Sequence, residues 1–308
     1  MHDRDCLHRF MFEQFPIRGH LVHLDAAWRA LIEHREYPAA IRDTLGEAVA
    51  ASLLLAATVK FEGVLSLQLQ GDGPVHLLLA QCTGGLGVRG LARYREGAHT
   101  GAGAGTGADA DGIVNLIGAG NLTVTLETDD SAQRYQGIVP IAGQRLAESL
   151  QVYFEDSEQL PTRLWLHADA FGASGMLLQK LPAAEAPPGA DTAAVEDAWR
   201  RVQLIGETLT PEELQTLADA EILHRLFNED DVRLFEPAPV YFRCRCSRER
   251  VSRMLQGLGH RESRSILAER GEVEVRCDFC NRAYVFDAVD VEQLFNAGVT
   301  GDSGSSVH

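Results

Sequence analysis

The stretch Phe242-Arg243-Cys244-Arg245-Cys246-Ser247 is answered, after 30 intervening residues from Cys246, by Cys277-Asp278-Phe279-Cys280. The chain has 308 residues and six cysteines, and four of the six lie between Cys244 and Cys280. Six are too few for a disulfide scaffold, so clustered thiols point to metal or redox chemistry. In Cys244-x-Cys246, residues i and i+2 lie on one face of an extended strand, so both sulfurs reach one ion. In Cys277-x-x-Cys280, a tight turn between Val273/Val275 and Tyr284/Phe286 presents two more. Four thiolates at about 2.3 Å make a closed tetrahedral zinc site. The expected metal ligands are therefore Cys244, Cys246, Cys277 and Cys280, around one structural Zn2+.

The magnitudes favour this reading. Closing the intervening loop costs about 3 kcal/mol, whereas structural zinc in small peptides contributes roughly 10–16 kcal/mol. The segment 237–297 is too small for a robust core of its own and needs such a staple. Ser247 can N-cap a helix whose Val251, Met254, Leu255 and Leu258 share a face, with Gly257 or Gly259 ending it. A second short helix is expected over Glu262–Glu269, ended by Gly271. Two roles remain open for the sulfurs: a static staple, or a redox switch. Arg243, Arg245, Arg248, Arg276 and Arg282 around the cysteines favour reactive thiolates, and each pair can close a short disulfide loop.

Upstream, composition shifts at Pro182. Residues 183–236 carry 13 acidic and 4 basic side chains and begin with a linker containing Pro187-Pro188-Gly189. Thr210-Pro211-Glu212-Glu213 is a helix start, with Thr as N-cap, Pro at N1 and Glu at N3. Leu214, Leu217, Ile222, Leu226 and Phe227 then supply an apolar stripe, and an earlier helix around Ala193–Gly206 carries Trp199, Val202 and Ile205. Such helices fold only where their stripes find something to dock on, so the segment reads as metastable.

The first 182 residues read as mixed α and β. Pro38–Lys60 is an Ala/Leu-rich helix, and Leu65-Ser66-Leu67-Gln68-Leu69-Gln70 alternates strictly, as a half-buried strand does. The turn Gly71–Pro74 leads into a strand over Val75–Ala80; Gly87–Tyr94, Leu122–Glu127 and Arg163–Ala168 are further strands, and Gly143–Phe154 is a helix. Cys82 reads as a small core residue and Cys6 as incidental, while Trp28, Trp165 and Trp199 read as packing residues. The expected class is α+β: an N-terminal α/β domain (1–182) with a β-sheet and packed helices, a helical linker (183–236), a small four-cysteine zinc module (237–297) and a flexible tail (298–308).

Composition excludes several functions. The formal net charge of −16 argues against wholesale binding to nucleic acid or anionic membrane. The apolar run 48–59 is too short to span a bilayer, and no apolar signal-peptide region follows Met1, so a cytoplasmic protein is expected. Gly103-x-Gly105-x-x-Ala108 resembles a dinucleotide fingerprint but lacks the strand before and helix after it. A zinc module for nucleic acid draws support from the 10 Arg of 237–282, against the global charge. A zinc deaminase would use His260-Arg261-Glu262 before Cys277-x-x-Cys280, but Arg stands where its signature has Pro, and four sulfurs leave no open position for catalytic water. A thioredoxin-like enzyme would need its Cys-x-x-Cys at a helix N-terminus.

The same residues carry a resemblance. Phe242-x-Cys244-x-Cys246-Ser247 and Cys277-x-Phe279-Cys280 resemble the redox-switch module of the 33 kDa redox-regulated heat-shock chaperone family, the 33 kDa chaperonins. The similarity extends over nearly the whole chain, through Thr58-x-Lys60-Phe61-x-Gly63, Leu65–Pro74, Gly118-x-Gly120-x-Leu122-x-Val124-Thr125 and Tyr153-Phe154-x-x-Ser157-Glu158-Gln159-x-Pro161-Thr162. Gly101–Gly112 looks like a local expansion, and Cys6 and Cys82 are extra thiols. The resemblance implies an ATP-independent holdase, not an enzyme. Its reduced form holds zinc and is inactive. Oxidation would form disulfides Cys244–Cys246 and Cys277–Cys280, release zinc, unfold the linker and expose apolar surface to unfolded client proteins, the active form being a homodimer.

Overall fold

The computed structural model describes residues 4–95, 112–129, 134–182 and 191–296. Residues 101–111 of the glycine-rich expansion, which hold the fingerprint, the Pro187-Pro188-Gly189 linker and the tail 298–308 lie outside the described residues. The chain divides into two compact units, Met1–Arg243 and Cys244–His308.

The first unit runs β1 (Cys6–Phe12), β2 (Ile17–Leu24), α1 (Ala26–Ile32), α2 (Ala39–Thr58), β3 (Gly63–Gly71), β4 (Val75–Thr83) and β5 (Gly87–Tyr94). It continues with α3 (Ile113–Ile117), β6 (Gly120–Thr128), β7 (Arg134–Pro140), α4 (Leu146–Tyr153) with a π-helical turn over 154–158, β8 (Thr162–Ala168) and β9 (Ala173–Lys180). The acidic segment supplies α5 (Thr192–Gly206), α6 (Pro211–Thr216), α7 (Asp219–Phe227) and β10 (Val232–Leu234), followed by β11 (Ala238–Pro239) and β12 (Tyr241–Phe242). The α+β expectation holds, with two six-stranded sheets: β10-β1-β2-β9-β8 with β11 also on β1, and β12-β5-β4-β3-β6-β7.

Helix α2 is the axis of this unit. Its Ala/Leu body has no polar stripe, and a helix apolar on all sides is stable only when enclosed. Leu45, Val49, Leu53 and Leu54 are fully buried, in one core with Leu65, Leu67 and Leu69 of β3 and with Val22 and Leu177 of β2 and β9. The alternation of β3 reads out directly, for Leu65, Leu67 and Leu69 are buried while Ser66 and Gln68 are half-buried and Gln70 is exposed. Strand β9 is buried over Ala173–Gln179, on both faces, which erases any alternation and hid it from pattern reading. Two turns explain family-like glycines. Gly63 has φ 142 and Gly118 φ 75, and a side chain at either would meet backbone of 127–128 or of Gly73.

The acidic segment has its own partner. Ala198, Trp199 and Val202 of α5, Leu214 of α6 and Ile222, Leu226 and Phe227 of α7 pack on Phe10, Phe12, Ile17, Leu21, Met176 and Leu178 of the first sheet. The stripe expected as one helix is two, because Leu217 is extended (ψ 153) between α6 and α7. The capping box at Thr210 and Glu213 forms as expected, and Arg201 forks onto Asp230 at 2.8 and 2.6 Å. The first compact unit runs to Arg243, where residues 238–239 pair with β1 and 241–242 pair in parallel with β5.

The second unit contains α8 (Arg248–Leu258), α9 (His260–Arg270), the hairpin β13 (Val273–Arg276) and β14 (Ala283–Phe286), and α10 (Ala288–Asn296). Ser247 accepts from Arg250 N as N-cap of α8, and Gly271 ends α9 at φ 83. Of the four apolar residues expected to share one buried face, Val251 and Leu255 are buried, but Met254 and Leu258 are 52% and 49% exposed. The core there is small: Val251, Leu255, Val273, Tyr284, Phe286 and Val291.

Candidate metal centre

The hairpin β13–β14 turns through Cys277-Asp278-Phe279-Cys280, and Asn281 takes the left-handed conformation (φ 54) that closes it. Asn281 N donates to Cys277 O at 2.8 Å and Cys277 N to Arg282 O at 3.0 Å, which fixes the turn. Cys244 and Cys246 enter from the segment just before α8. The four sulfurs converge: Cys244 Sγ lies 3.6 Å from Cys277 Sγ, Cys246 Sγ lies 3.4 Å from Cys280 Sγ, and all four are within 4.8 Å of one another. A tetrahedron of sulfurs around zinc has edges of about 3.8 Å, so this donor set fits such an ion closely. All four are half-buried and none is in a disulfide.

The electrostatics of the cluster are uneven. Burial raises the Cys244 and Cys280 thiols. Burial acts the same way on Cys246, but the Tyr284 hydroxyl, donating at 3.1 Å, and the neighbouring sulfurs outweigh it and bring that thiol down to about 7. The arginines are less concentrated on the sulfurs than their spacing suggests. Arg248 pairs with Asp290 at 2.7 Å and stacks over Phe286, and Arg276 pairs with Glu274 at 2.5 Å. Arg282 is held firmly protonated by Tyr284 and by the Cys246 and Cys280 sulfurs. Arg243 belongs to the first unit.

The other singled-out residues fall elsewhere. His260 stands 3.2 Å from Glu292 and stacks on Phe295, outside the sulfur cluster, and the Cys-x-x-Cys occupies a hairpin turn rather than a helix N-terminus. Cys82 is fully buried and burial pushes its thiol up to about 12, which makes it an inert core residue. Trp28 is buried and donates to Asp169 O at 2.8 Å; Trp199 is buried and Trp165 packs against the same core. Cys6, read as incidental, lies beside His8 and Asp219, a grouping with no signal in the local sequence because Asp219 arrives from the acidic segment. Among the described residues, no helix is long and apolar enough to cross a membrane.

Comparison with known proteins agrees with this arrangement. The family profile described as Hsp33 protein matches residues 5–287. The 33 kDa chaperonin of Nitrosococcus oceani is 47% identical over 308 residues, covering 100% of both chains. That of Methylobacillus flagellatus is 44% identical over 298 residues, covering 96% of each. The crystal structure of the 33 kDa chaperonin of Thermotoga maritima shares the fold, with a TM-score of 0.79 over 96% of this chain and 99% of that one at 22% identity. With the sulfur cluster and the motifs of the first unit in place, this chain belongs to the Hsp33 family of chaperones.

Proposed function

We propose that the chain is a redox-regulated, ATP-independent holdase whose dormant form carries one Zn2+ on Cys244, Cys246, Cys277 and Cys280. The observation that carries this reading is the convergence of four sulfurs within 4.8 Å in a unit with few other buried contacts. The bound ion would hold the sulfurs as thiolates and cross-link the approach to α8 with the β13–β14 turn. Peroxide or a comparable oxidant takes two electrons from each sulfur pair. For each disulfide, two thiolates, two protons and one H2O2 yield the bond and two waters. The pairing follows the family resemblance, Cys244–Cys246 and Cys277–Cys280. Sulfurs in a disulfide no longer serve as thiolate ligands, so oxidation and metal binding exclude one another.

The second unit then keeps only its small core, and the helices of 183–236 supply the responsive surface. When α5–α7 leave the first sheet, two apolar surfaces open together: their own stripe of Trp199, Ile222 and Phe227, and the sheet face of Phe10, Phe12 and Met176. Unfolded clients would bind there, with the oxidised form dimeric and the protein working in the cytoplasm without catalysing a reaction. The test measures zinc release and suppression of client aggregation together, before and after peroxide at mild heat. Release and activity rise in parallel on this reading; activation with zinc retained, or activation that needs ATP, overturns it.

A further inference from the structure

Within the first unit, a second set of metal-ligating side chains comes together. Cys6 and His8 stand two residues apart on β1 and so share a face of the strand. Asp219, the first residue of α7, meets them there. Cys6 Sγ lies 3.8 Å from His8 Nδ1, His8 Nδ1 lies 2.5 Å from Asp219 Oδ2, and the three ligand atoms fall within 4.8 Å of one another. Asp219 is only 7% exposed. Its second oxygen, Oδ1, is 2.8 Å from His23 Nδ1, and His23 Nε2 donates to Leu214 O at 2.7 Å, so the His23 ring is fixed at both ends. The group lines a cavity of about 600 Å3.

A cysteine, a histidine and an aspartate also suggest a nucleophile relay. In such a relay the two ring nitrogens divide the work, one toward the thiol and the other toward the carboxylate. Here a single atom, His8 Nδ1, faces both Cys6 and Asp219. Donor atoms that converge on one point suit an ion instead. In a tetrahedral zinc site with these ligands the donors stand about 3.3–3.6 Å apart. The Cys6–His8 separation is already close to that. The His8–Asp219 contact has hydrogen-bond length and would open by about 1 Å, with its proton leaving. Thiolate with imidazole and carboxylate is a zinc-type donor set rather than one for calcium or magnesium. Ligating carboxylates are themselves held by outer partners, and here His23 contacts the second oxygen of Asp219.

We infer that Cys6, His8 and Asp219 form a second divalent-cation site of zinc-binding chemistry, with His23 positioning the Asp219 carboxylate and the fourth coordination position open to the cavity. Because Asp219 belongs to α7 and the other two ligands to β1, an ion here ties the acidic helical segment to the first sheet. This site is independent of the four-cysteine centre, and it stands or falls separately from the redox reading.

The test strips the reduced full-length chain of metal and titrates it with Co2+ and then Zn2+. The wild type should take two equivalents, and Cys6→Ser one. Replacing Cys244, Cys246, Cys277 and Cys280 together by serine should also leave one, with the weak charge-transfer band of a single cobalt–thiolate bond. Cys6→Ser should weaken the second equivalent by more than about 100-fold, and His23→Asn by roughly 10–100-fold, as expected for an outer partner. Cys6→Ser keeps the His8–Asp219 and His23–Asp219 contacts, so its fold should persist, as judged by circular dichroism. Two equivalents of unchanged affinity in Cys6→Ser, or no equivalent bound by the chain in which Cys244, Cys246, Cys277 and Cys280 are serine, overturns the assignment.

Discussion

In the first unit Leu45, Leu53, Leu54 and Leu67 are buried completely between two six-stranded sheets, whereas the second unit, among its described residues, encloses six apolar side chains beside four sulfurs. Burial of apolar area is spread over many contacts and is indifferent to oxidants. A cross-link through four thiolates is concentrated at one point and is cancelled by a two-electron reaction per pair. On the proposed redox reading, the second kind of stabilisation sits in the small unit and the first kind in the large one. The acidic helices stand between these extremes. Their docking on the first sheet combines an apolar stripe with the contacts of Asp219 to His8 and His23, while Arg201–Asp230 ties α5 to the end of α7 within the segment.

The largest effect that would break this contrast comes from replacing Cys244, Cys246, Cys277 and Cys280 together by serine. The loss of metal-linked stabilisation, roughly 10–16 kcal/mol in comparable sites, should abolish hydrogen-exchange protection in α8, α9 and β13–β14 and leave β3, β4 and β6 protected. Retained protection in the second unit would show that its apolar core suffices. In the first unit, Leu54→Ala should cost about 4 kcal/mol through the cavity left beside α2, read from the denaturant midpoint of its unfolding. A negligible shift would mean that this core is loosely packed.

Acid probes the same unit by another route. Burial, reinforced by Arg18 and Arg9, lowers the His20 imidazole from 6.5 to about 3, so the folded chain keeps it neutral. The unfolded chain takes up that proton first. Stability from this group is therefore complete above about pH 6.5 and declines as pH falls toward 3, by about 3 kcal/mol between pH 7 and pH 4. His20→Leu should flatten the stability profile over that range. The Asp219 carboxyl follows the same sign lower down. Burial raises it, but its bonds to His23 and His8 prevail and hold it below its usual range, so its contribution is lost only at more acid pH. The smallest effect sharpens the picture of the acidic segment: Thr210→Ala removes the capping box of α6 and should cost about 1 kcal/mol, seen as faster amide exchange confined to residues 211–217.

Much of this molecule was legible before any coordinates. Helix α2 and strand β3 show themselves because their periodicities, all-round apolar in one and strictly alternating in the other, are local properties of consecutive residues. The cap at Thr210, the Ser247 cap and the four clustered cysteines were legible for the same reason, since each needs only a short spacing. Strand β9 was not, because burial on both faces removes the alternation that marks a strand. Nor were β10, β11 and β12, two or three residues long, which exist only through their pairing with β1 and β5. Met254 and Leu258 sit at helical spacing from buried neighbours, yet a small unit has too little interior to cover them.

The sequence by itself determined the class of fold, the family and the four sulfurs that form one centre, because these depend on near-neighbour spacing and on motifs in a fixed order. Only the tertiary structure decided where the acidic helices dock and that Asp219 meets Cys6, His8 and His23. Those contacts join residues far apart in the chain, and no local pattern records which distant surface a stripe or a carboxylate will face.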